Sequence, residues 1–386
     1  MSQTGTSPLI SFGPRVRKSP FFDATLRYGA VAFTIYNHTY LPTSYGDDGA
    51  DYWSLVNDVT LWDVTCQRQV EISGPDAFDF IQLLTPRDMS KCDVGQCQYL
   101  ALTNQDGGIV NDAIMLRIEE QLFWLSHGDG DVLWWAMGVA VNSGMDVNVT
   151  EPDVSPLQLQ GPKSPLVARD LFGDWAVELK YYRLRETTLD GIPLVVSRTG
   201  WSGELGYELY LRDSQYGDQL WERVMEAGKP YNIAPTAPST IRSIEGGLLS
   251  YGADISLDDN PYVIGMDRFV EFEQSGDFIG KAALKRMIAG GAKRRLVGVE
   301  IHGDALPASN EEHWDITDGN NNIGYVTCCG HSPRLEKNIG WANVPVEFAA
   351  VGTQLVVISP QGDRSVTVCK APWFPPQIRI PDDMKG

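Results

Sequence analysis

Two stretches of this chain repeat one local pattern, and the repeat restricts the possible folds more than any other feature. Residues 70–87 read VEISGPDAFDFIQLLTPR and residues 157–173 read LQLQGPKSPLVARDLFG. Each combines a short strand pattern, a Gly-Pro turn and an amphipathic helix pattern. Pro75 or Pro162 is predicted in the first helical turn, where the missing N–H costs nothing. The repeat indicates an internal duplication and predicts two related α+β units.

Further strand and helix patterns surround the repeats. Ser239 is predicted to cap a helix that ends near Gly252. Ile241, Ile244 and Leu248 share one face of this helix. The predicted strands span 96–102, 113–118, 122–126, 193–198 and 207–212, and the other predicted helices span 131–142 and 215–227.

The last part of the chain has a different character. From about residue 292, short β patterns alternate with Gly, Asn and Pro: RLVGVEI, IGYVTC, IGWANV, QLVVIS and SVTVCK. This alternation is typical of a separate all-β domain. We therefore predict an α+β region at residues 1–285 and an all-β domain at residues 290–386. Within the first region, the two units occupy roughly 50–155 and 156–285, behind an N-terminal extension.

Composition and charge argue against several classes of function. The formal net charge of −19 opposes binding to polyanions, so nucleic acid is not a predicted partner. No apolar run approaches the roughly 18 residues of a membrane span, and no membrane partner is predicted. Residues 1–18 lack the apolar core of a secretory signal, which favours a cytoplasmic location. The cysteines and histidines lack metal-site spacing, so no metal site is predicted.

Two glycine-containing motifs lead into predicted strands. Residues 103–112 read TNQDGGIVND and deliver Asn111 and Asp112 into a strand. Residues 198–210 read RTGWSGELGYELY, and strand alternation places Glu208 and Tyr210 on one face. Taken singly, the first motif is compatible with an ordinary β-turn and the second with a solvent-exposed strand face.

Two further motifs contain charged side chains. Arg242 and Glu245 lie three residues apart on the predicted helix and can contact each other. Ser332-Pro333-Arg334 lies in the β-rich part. An intrahelical pair and a simple turn explain these motifs when each is taken alone. No G-x-G-x-x-G or Lys-containing phosphate loop follows a strand pattern, which argues against dehydrogenase and kinase functions.

In this order and at these separations, the motifs resemble those of the aminomethyltransferase family, the T-proteins of glycine cleavage. The resemblance covers roughly residues 50–375. The family patterns include T-N-x-x-G-G-I-x-D-D, L-Q-G-P, R-T-G-[YW]-[ST]-G-E-x-G-[YF]-E and R-x-E-x-G-L-x-x-Y-G-x-D. The resemblance implies an α+β fold of two related units with a C-terminal all-β barrel, and tetrahydrofolate as co-substrate.

The resemblance also implies roles for individual residues. Glu208 would accept paired hydrogen bonds from the N3–H and the 2-amino group of the pterin. Arg242 would counter an anionic part of the folate. Tyr99, Trp201 and Asp112 would complete the folate site.

One position departs from the family pattern. The family has an acid at the first position of its D-D pair, whereas this chain has Asn111 followed by Asp112. Aminomethyl transfer requires proton transfer as ammonia leaves, and a neutral amide cannot act as a general acid or base. Methyl transfer from an activated donor requires mainly alignment and exclusion of water. Asn111 and Asp112 are the candidate catalytic residues, with Asp112 positioning or polarising the folate.

Within the family, the chain resembles the demethylases that use a sulfonium donor such as dimethylsulfoniopropionate and make 5-methyltetrahydrofolate. Aromatic faces bind a sulfonium group through cation–π contacts. The candidate donor-binding residues are Tyr36, Trp124, Ser126, Trp175 and Tyr210. The predicted partners are the small-molecule donor and tetrahydrofolate, and monomer and homodimer are both open. Demethylation of an O- or N-methyl donor, aminomethyl transfer and a non-catalytic folate-binding scaffold stay open as alternatives.

Overall fold

The computed structural model of the protein describes residues 11–274 and 276–385. An N-terminal segment precedes the two repeats and supplies one strand to the second of them. Its elements are α1 (Phe22–Arg27), β1 (Ala32–Tyr36), β2 (Thr39–Ser44), α2 (Asp48–Asn57) and β3 (Val59–Asp63). Strands β1 and β2 form an antiparallel hairpin that the sequence analysis did not predict.

The first unit forms a five-stranded sheet with strand order β5-β6-β7-β4-β8. Two of its helices follow strands β4 and β7 along the chain. Its elements are β4 (Gln69–Ser73), α3 (Ala77–Leu84), β5 (Gln96–Thr103), β6 (Ile109–Glu119), β7 (Leu122–His127), α4 (Val132–Ser143) and β8 (Asn148–Thr150).

The second unit forms a six-stranded sheet with strand order β10-β11-β12-β9-β3-β13. Its elements are β9 (Ser155–Gln160), α5 (Ser164–Phe172), α6 (Trp175–Glu178), β10 (Leu184–Leu189), β11 (Ile192–Ser197), β12 (Gly206–Leu211), α7 (Gly217–Gly228) and β13 (Ile233–Pro235). With β3 set aside, this order repeats that of the first sheet strand for strand. The predicted duplication is therefore present in the topology.

The repeat also extends to the turn between strand and helix. Gly74 and Gly161 hold φ angles of +121° and +125°, and a Cβ at either position would lie 2.6 Å from a backbone carbonyl oxygen. Pro75 and Pro162 lie in the turns that follow these glycines. Each helix begins two residues after its proline, α3 at Ala77 and α5 at Ser164. The prediction that both prolines occupy the first helical turn is wrong, because the left-handed glycine delays the helix start.

The two sheets pack face to face, with helices on their outer faces. Helices α3 and α4 cover the first sheet through a core that contains Phe80. Helices α5 and α7 cover the second sheet through a core that contains Trp221. Each buried large apolar side chain contributes about 1.5–3 kcal/mol to these cores. A smaller cluster, which includes Trp124 and Tyr210, lies between the sheets.

The C-terminal strands close into a barrel with strand order β14-β17-β16-β15-β18-β19. Its strands are β14 (Arg294–Ile301), β15 (Trp314–Thr317), β16 (Asn322–Ser332), β17 (Lys337–Pro345), β18 (Gln354–Ser359) and β19 (Gly362–Cys369). Strand β15 was not predicted, because four residues are too few to show an alternation. The predicted fold class, two related α+β units with a C-terminal all-β barrel, is confirmed.

Two helices connect the second sheet to the barrel: α8 (Thr240–Gly246) and α9 (Lys281–Gly290). The side chain of Ser239 accepts a hydrogen bond from the N–H of Arg242, so the predicted cap is confirmed. The helix ends at Gly247, which has a left-handed φ of 75°, and not at Gly252 as predicted. Leu248 therefore lies beyond the helix.

The chain leaves the barrel after β19 and returns to the second unit. The N–H of Trp373 donates to the carbonyl of Glu245 at 3.0 Å, and the N–H of Gln377 donates to the carbonyl of Gly203 at 2.8 Å. Ile380 is buried in a cluster with Leu205. The end of the predicted all-β domain thus packs outside the barrel. Within the described ranges, no helix has both the length and the apolar character needed to cross a bilayer.

Candidate active site

The inner faces of the two sheets carry polar side chains at matching positions. Register places Ser126 of β7 opposite Gln69 of β4 in the first sheet. In the second sheet it places Glu208 of β12 opposite Gln158 of β9. Since β7 corresponds to β12 and β4 to β9 in the duplication, each unit contributes one glutamine and one partner. The structure therefore builds two related polar pairs on facing sheets.

Two aromatic side chains bring these pairs into one region. The ring centroids of Trp124 and Tyr210 lie 6.2 Å apart across the space between the sheets. The indole N–H of Trp124 donates to Glu71 at 2.9 Å, and the hydroxyl of Tyr210 donates to Glu208 at 3.2 Å. Both aromatic side chains are fully buried. The predicted alternation of β12 is observed, because Tyr210 and Glu208 share this inner face.

Glu208 is held by neutral donors on three sides. Gln158 Nε2 donates to its Oε1 at 2.8 Å, and the hydroxyls of Thr199 and Tyr210 donate to its Oε2. Burial raises the pKa of the Glu208 carboxyl, while these three hydrogen bonds act in the opposite direction. The Oε1 atom of Gln158 has no hydrogen-bond partner among the described residues. A carboxylate offers about four lone-pair positions, so Glu208 retains acceptor capacity for a ligand.

The matching pair in the first sheet lacks a charge. Gln69 Nε2 donates to the hydroxyl oxygen of Ser126 at 2.9 Å. Both residues are buried, and Gln69 Oε1 has no partner within the part of the chain that the structure describes. Where the second unit offers a carboxylate, the first unit therefore offers a hydroxyl.

A third polar pair lies on strands β5 and β6. The hydroxyl of Tyr99 donates to Asp112 Oδ2 at 2.8 Å. Burial raises the pKa of Asp112 to about 6, the hydrogen bond from Tyr99 acts in the opposite direction, and the charge of Asp254 raises it further. Asp254 is itself buried and accepts hydrogen bonds from the Ser250 N–H at 3.0 Å and the Thr327 hydroxyl at 2.5 Å. Asp112 is thus an acid that can exchange a proton near neutral pH.

Asn111 does not share the environment of its neighbour. Its side chain is fully buried, and Nδ2 donates to the backbone carbonyl of Asp129 at 2.6 Å. Successive strand residues project to opposite faces, so Asn111 and Asp112 project to different sides of β6. Asn111 therefore contacts the loop after β7, and Asp112 faces the space between the sheets.

The β1–β2 hairpin approaches the same loop from the N-terminal segment. Asn37 and His38 form its turn with φ angles of 47° and 61°. Tyr36 precedes this turn, and its hydroxyl lies so close to Gly128 that a Cβ there would be 2.8 Å away. Burial raises the pKa of the Tyr36 hydroxyl, and the carboxylate of Asp112 adds to this increase. Tyr36 is therefore within electrostatic reach of Asp112.

Arg242 is engaged inside the protein. Its Nε atom donates to Glu204 at 2.8 Å, and its side chain is 1% exposed. Nη1 lies 3.7 Å from Glu245, which also accepts hydrogen bonds from Tyr52 and Arg334. Arg242 and Arg334 share the carboxylates of Glu204 and Glu245. Because Arg242 is buried within this cluster, the structure argues against the predicted contact between Arg242 and an anionic part of folate.

One predicted donor-binding residue, Trp175, lies away from the facing polar pairs. Trp175 packs on the outer face of the second sheet, where the guanidinium of Arg185 lies 4.6 Å from its ring centroid. This placement argues against a contact between Trp175 and the donor, and we omit it from the proposed site. Trp201 donates from its indole to the carbonyl of Leu249 at 3.2 Å, in the segment after α8.

Sequence reasoning missed the residues that support the predicted ones. Gln158 and Thr199 hold Glu208, and Gln69 holds Ser126. The sequence carried a signal for Gln158, because residues 157–160 read LQLQ. In the structure all four of these residues are buried. Alternating glutamines in a buried strand require hydrogen-bond partners on the polar face. No comparable pattern marks Gln69.

The fold and the family models together define the class of protein, a tetrahydrofolate-dependent transferase. The GCVT N-terminal domain matches residues 21–274, and the Glycine cleavage T-protein C-terminal barrel domain matches residues 294–375. The chain therefore belongs to the glycine cleavage T-protein family. Members of this family use tetrahydrofolate as co-substrate, which confirms the co-substrate prediction.

Individual relatives extend this assignment. The dimethylsulfoniopropionate demethylase DmdA of Ruegeria pomeroyi is 36% identical over 359 residues, covering 93% of this chain and 98% of the relative. The aminomethyltransferase of Thermoanaerobacter pseudethanolicus is 31% identical, covering 89% and 93%. The crystal structure of aminomethyltransferase T from Bartonella henselae has the same fold, with a TM-score of 0.84 and 22% identity, covering 94% of this chain and 99% of that chain.

Proposed function

We propose that the protein is a tetrahydrofolate-dependent demethylase that transfers a methyl group from a sulfonium donor, such as dimethylsulfoniopropionate, to N5 of tetrahydrofolate. The similarity to a dimethylsulfoniopropionate demethylase along 93% of the chain carries this proposal, and the identity of residue 111 supports it. Asn111 contacts the loop after β7 and does not face the space between the sheets, so we do not propose it as a catalytic group. The position where the family pattern has an acid holds a neutral amide whose Nδ2 donates to a backbone carbonyl. Such a side chain cannot assist the departure of ammonia, whereas methyl transfer does not require that step.

The inner face of the second sheet suits the pterin. A pterin presents N3–H and a 2-amino group as neighbouring donors, and Glu208 and Gln158 present acceptor oxygens side by side. Gln158 Oε1 is buried without a partner in the described chain, which a bound donor group would correct. The residues present therefore fit tetrahydrofolate, with Glu208 as the main pterin contact.

The region around the inner face of the first sheet suits a cationic donor. Trp124 lies on this sheet, Tyr210 on the facing sheet and Tyr36 on the β1–β2 hairpin, and their rings could supply cation–π contacts of about 0.5–2 kcal/mol each. The Ser126 hydroxyl, held by Gln69, can bond a polar group of the donor. The overall charge of −19 favours the approach of a cationic head group.

The proposed reaction breaks the S–CH3 bond and forms a bond between that carbon and N5. The sulfonium becomes a neutral thioether, and the product is 5-methyltetrahydrofolate. Asp112, whose pKa is about 6, is the protein group that takes up the proton leaving N5. The two sheets align the reactants and exclude water, which is the main requirement for such a transfer.

The test supplies tetrahydrofolate with each of several donors and identifies both products by mass spectrometry. The donors are dimethylsulfoniopropionate, other sulfonium compounds, O- and N-methyl compounds and an aminomethyl donor. We expect 5-methyltetrahydrofolate and a thioether from a sulfonium donor only. Formation of 5,10-methylenetetrahydrofolate would support aminomethyl transfer instead. Folate binding without turnover of any donor would support a scaffold role.

A further inference from the structure

We propose that Asn111 is a positioning residue that holds the β1–β2 hairpin, and with it Tyr36, at the donor side of the site. This inference rests on the proposed function for its kinetic consequence. The structural link itself can be tested without any substrate. The positioning role also explains why an amide replaces the family's acid at this position. The amide of Asn111 donates a hydrogen bond to a backbone carbonyl, which a carboxylate cannot do.

The first contact joins β6 to the loop after β7. Asn111 Nδ2 donates to the carbonyl oxygen of Asp129 at 2.6 Å. An aspartate at position 111 would place a carboxylate oxygen against that carbonyl oxygen, with no proton between them. The two acceptors would repel each other in a buried place, so the loop would move away. The neutral amide is therefore a requirement of this loop conformation.

The second set of contacts joins this loop to the hairpin turn. Asp129 Oδ1 accepts a hydrogen bond from the backbone N–H of Asn37 at 2.9 Å. The side-chain amide of Asn37 donates to the carbonyls of Gly128 at 3.0 Å and Cys66 at 3.1 Å. Asn37 is 1% exposed although it lies in a turn. The tip of the hairpin is thus fastened to the loop by both its backbone and its side chain.

The loop has glycines at the two points of closest approach. A Cβ on Gly130 would lie 2.7 Å from Asn111 Nδ2, and a Cβ on Gly128 would lie 2.8 Å from the hydroxyl of Tyr36. Asn111 and Tyr36 therefore contact the same short loop from its two sides. A shift of the loop at Asn111 must displace either Tyr36 or the hairpin turn.

The consequence is specific to one half of the site. Tyr36 belongs to the donor side, whereas Glu208 and Gln158 lie on the second sheet and make no hydrogen bond to the loop in the described chain. Loss of the link should therefore weaken donor binding and leave tetrahydrofolate binding unchanged. A residue with a general structural role would affect both ligands and the global stability together.

The experiment compares three variants of the full chain with a matched control. Asn111→Asp introduces the repulsion, and Asp129→Ala removes the acceptor for the hairpin. Asp129→Asn keeps a side-chain oxygen and serves as the conservative rescue. Asn148→Asp makes the same change as the first variant at an exposed position of β8. Asp129 is also exposed, so its variants should fold even if the buried substitution does not.

Two readouts follow. Loss of one such hydrogen bond should raise KM for dimethylsulfoniopropionate about tenfold in Asn111→Asp and Asp129→Ala, with the Kd for tetrahydrofolate within about twofold. Asp129→Asn and Asn148→Asp should resemble the unmodified protein. Without substrate, hydrogen exchange of the hairpin amides should accelerate in the first two variants only.

The outcomes separate this inference from the proposed function. Unchanged hairpin exchange in Asp129→Ala, or an equal loss of affinity for both ligands, would overturn the positioning role. If the unmodified protein demethylates no sulfonium donor, the proposed function fails. The hairpin exchange rates would still decide whether Asn111 holds the hairpin.

Discussion

The side-chain amide of Gln158 donates a 2.8 Å hydrogen bond to the carboxylate of Glu208, and the same pairing recurs between Gln69 and Ser126 on the facing sheet. The duplicated fold thus provides two equivalent positions, and the sequence has placed an acid at one and a hydroxyl at the other. The acid suits the donor groups of a pterin. The hydroxyl leaves the facing position uncharged, which suits a zwitterionic methyl donor better than a second carboxylate would.

The first prediction concerns the pterin contact. Glu208→Gln keeps the side-chain shape but replaces one acceptor oxygen by an amino group that opposes the pterin donors. We expect the Kd for tetrahydrofolate to rise about 30-fold, equivalent to about 2 kcal/mol. Isothermal titration calorimetry measures this change. Glu119→Gln, at an exposed strand end, is the control, and similar affinities for the two variants would contradict the role of Glu208.

The second prediction concerns pH. Burial raises the pKa of Asp112 to about 6, so the carboxyl is protonated below this pH and ionised above it. If the ionised form accepts the N5 proton, kcat/KM should fall about tenfold for each pH unit below 6. Asp112→Asn should remove this dependence and lower the plateau rate. Asp106→Asn, in the exposed turn of the same motif, should keep the acid limb.

The same shift has a consequence for folding stability with a defined sign. The folded-state pKa of Asp112 lies above its ordinary value of 3.8, so the folded protein binds more protons between the two values. The contribution of this group to stability is therefore present at low pH and is lost as the pH rises through about 6. Urea unfolding of Asp112→Asn should lack this component, and equal pH dependence in both proteins would argue against the shift.

The third prediction separates the two faces of the site. Ser126→Ala removes the hydroxyl that Gln69 holds, so KM for the methyl donor should rise about tenfold with little change in tetrahydrofolate affinity. Tyr210→Phe removes a hydrogen bond to Glu208, so this variant should bind both the methyl donor and tetrahydrofolate more weakly. Steady-state kinetics and a folate titration on both variants provide the measurement. If both variants changed the affinity for tetrahydrofolate equally, the assignment of Ser126 to the donor face alone would be refuted.

The fourth prediction concerns the buried ion cluster. Glu245 accepts hydrogen bonds from Tyr52 at 2.8 Å, Ser332 at 2.5 Å and Arg334 at 2.9 Å, and its side chain is 0% exposed. Glu245→Ala leaves buried cationic groups without this partner and should lower the free energy of unfolding by about 3–5 kcal/mol. Urea denaturation measures the loss. Glu226→Ala, which breaks an exposed pair with a lysine, should change it by less than about 1 kcal/mol.

Sequence patterns predicted local structure where a single interaction decides it. The cap at Ser239 follows from a hydroxyl placed three residues before an unpaired N–H. The shared face of Glu208 and Tyr210 follows from the two-residue period of a strand. The start of the helix after Pro162 was predicted too early, because the turn makes a tertiary contact there: the N–H of Lys163 donates to the carbonyl of Asp58 at 3.0 Å. That contact lies about 100 positions away and leaves no local pattern.

The sequence by itself determined the duplicated α+β plan and the all-β character of the last part of the chain, because each is written in local residue patterns. The barrel and the replacement of an acid by Asn111 followed from the resemblance to the family. Only the tertiary structure decided what these residues contact. Asn37 and Asp129 meet although they lie 92 residues apart, and Arg242 is balanced by Glu204 from another segment. Trp175 lies on the outer face because its helix packs there. Such contacts depend on how whole elements pack, which the spacing of residues along one element does not encode.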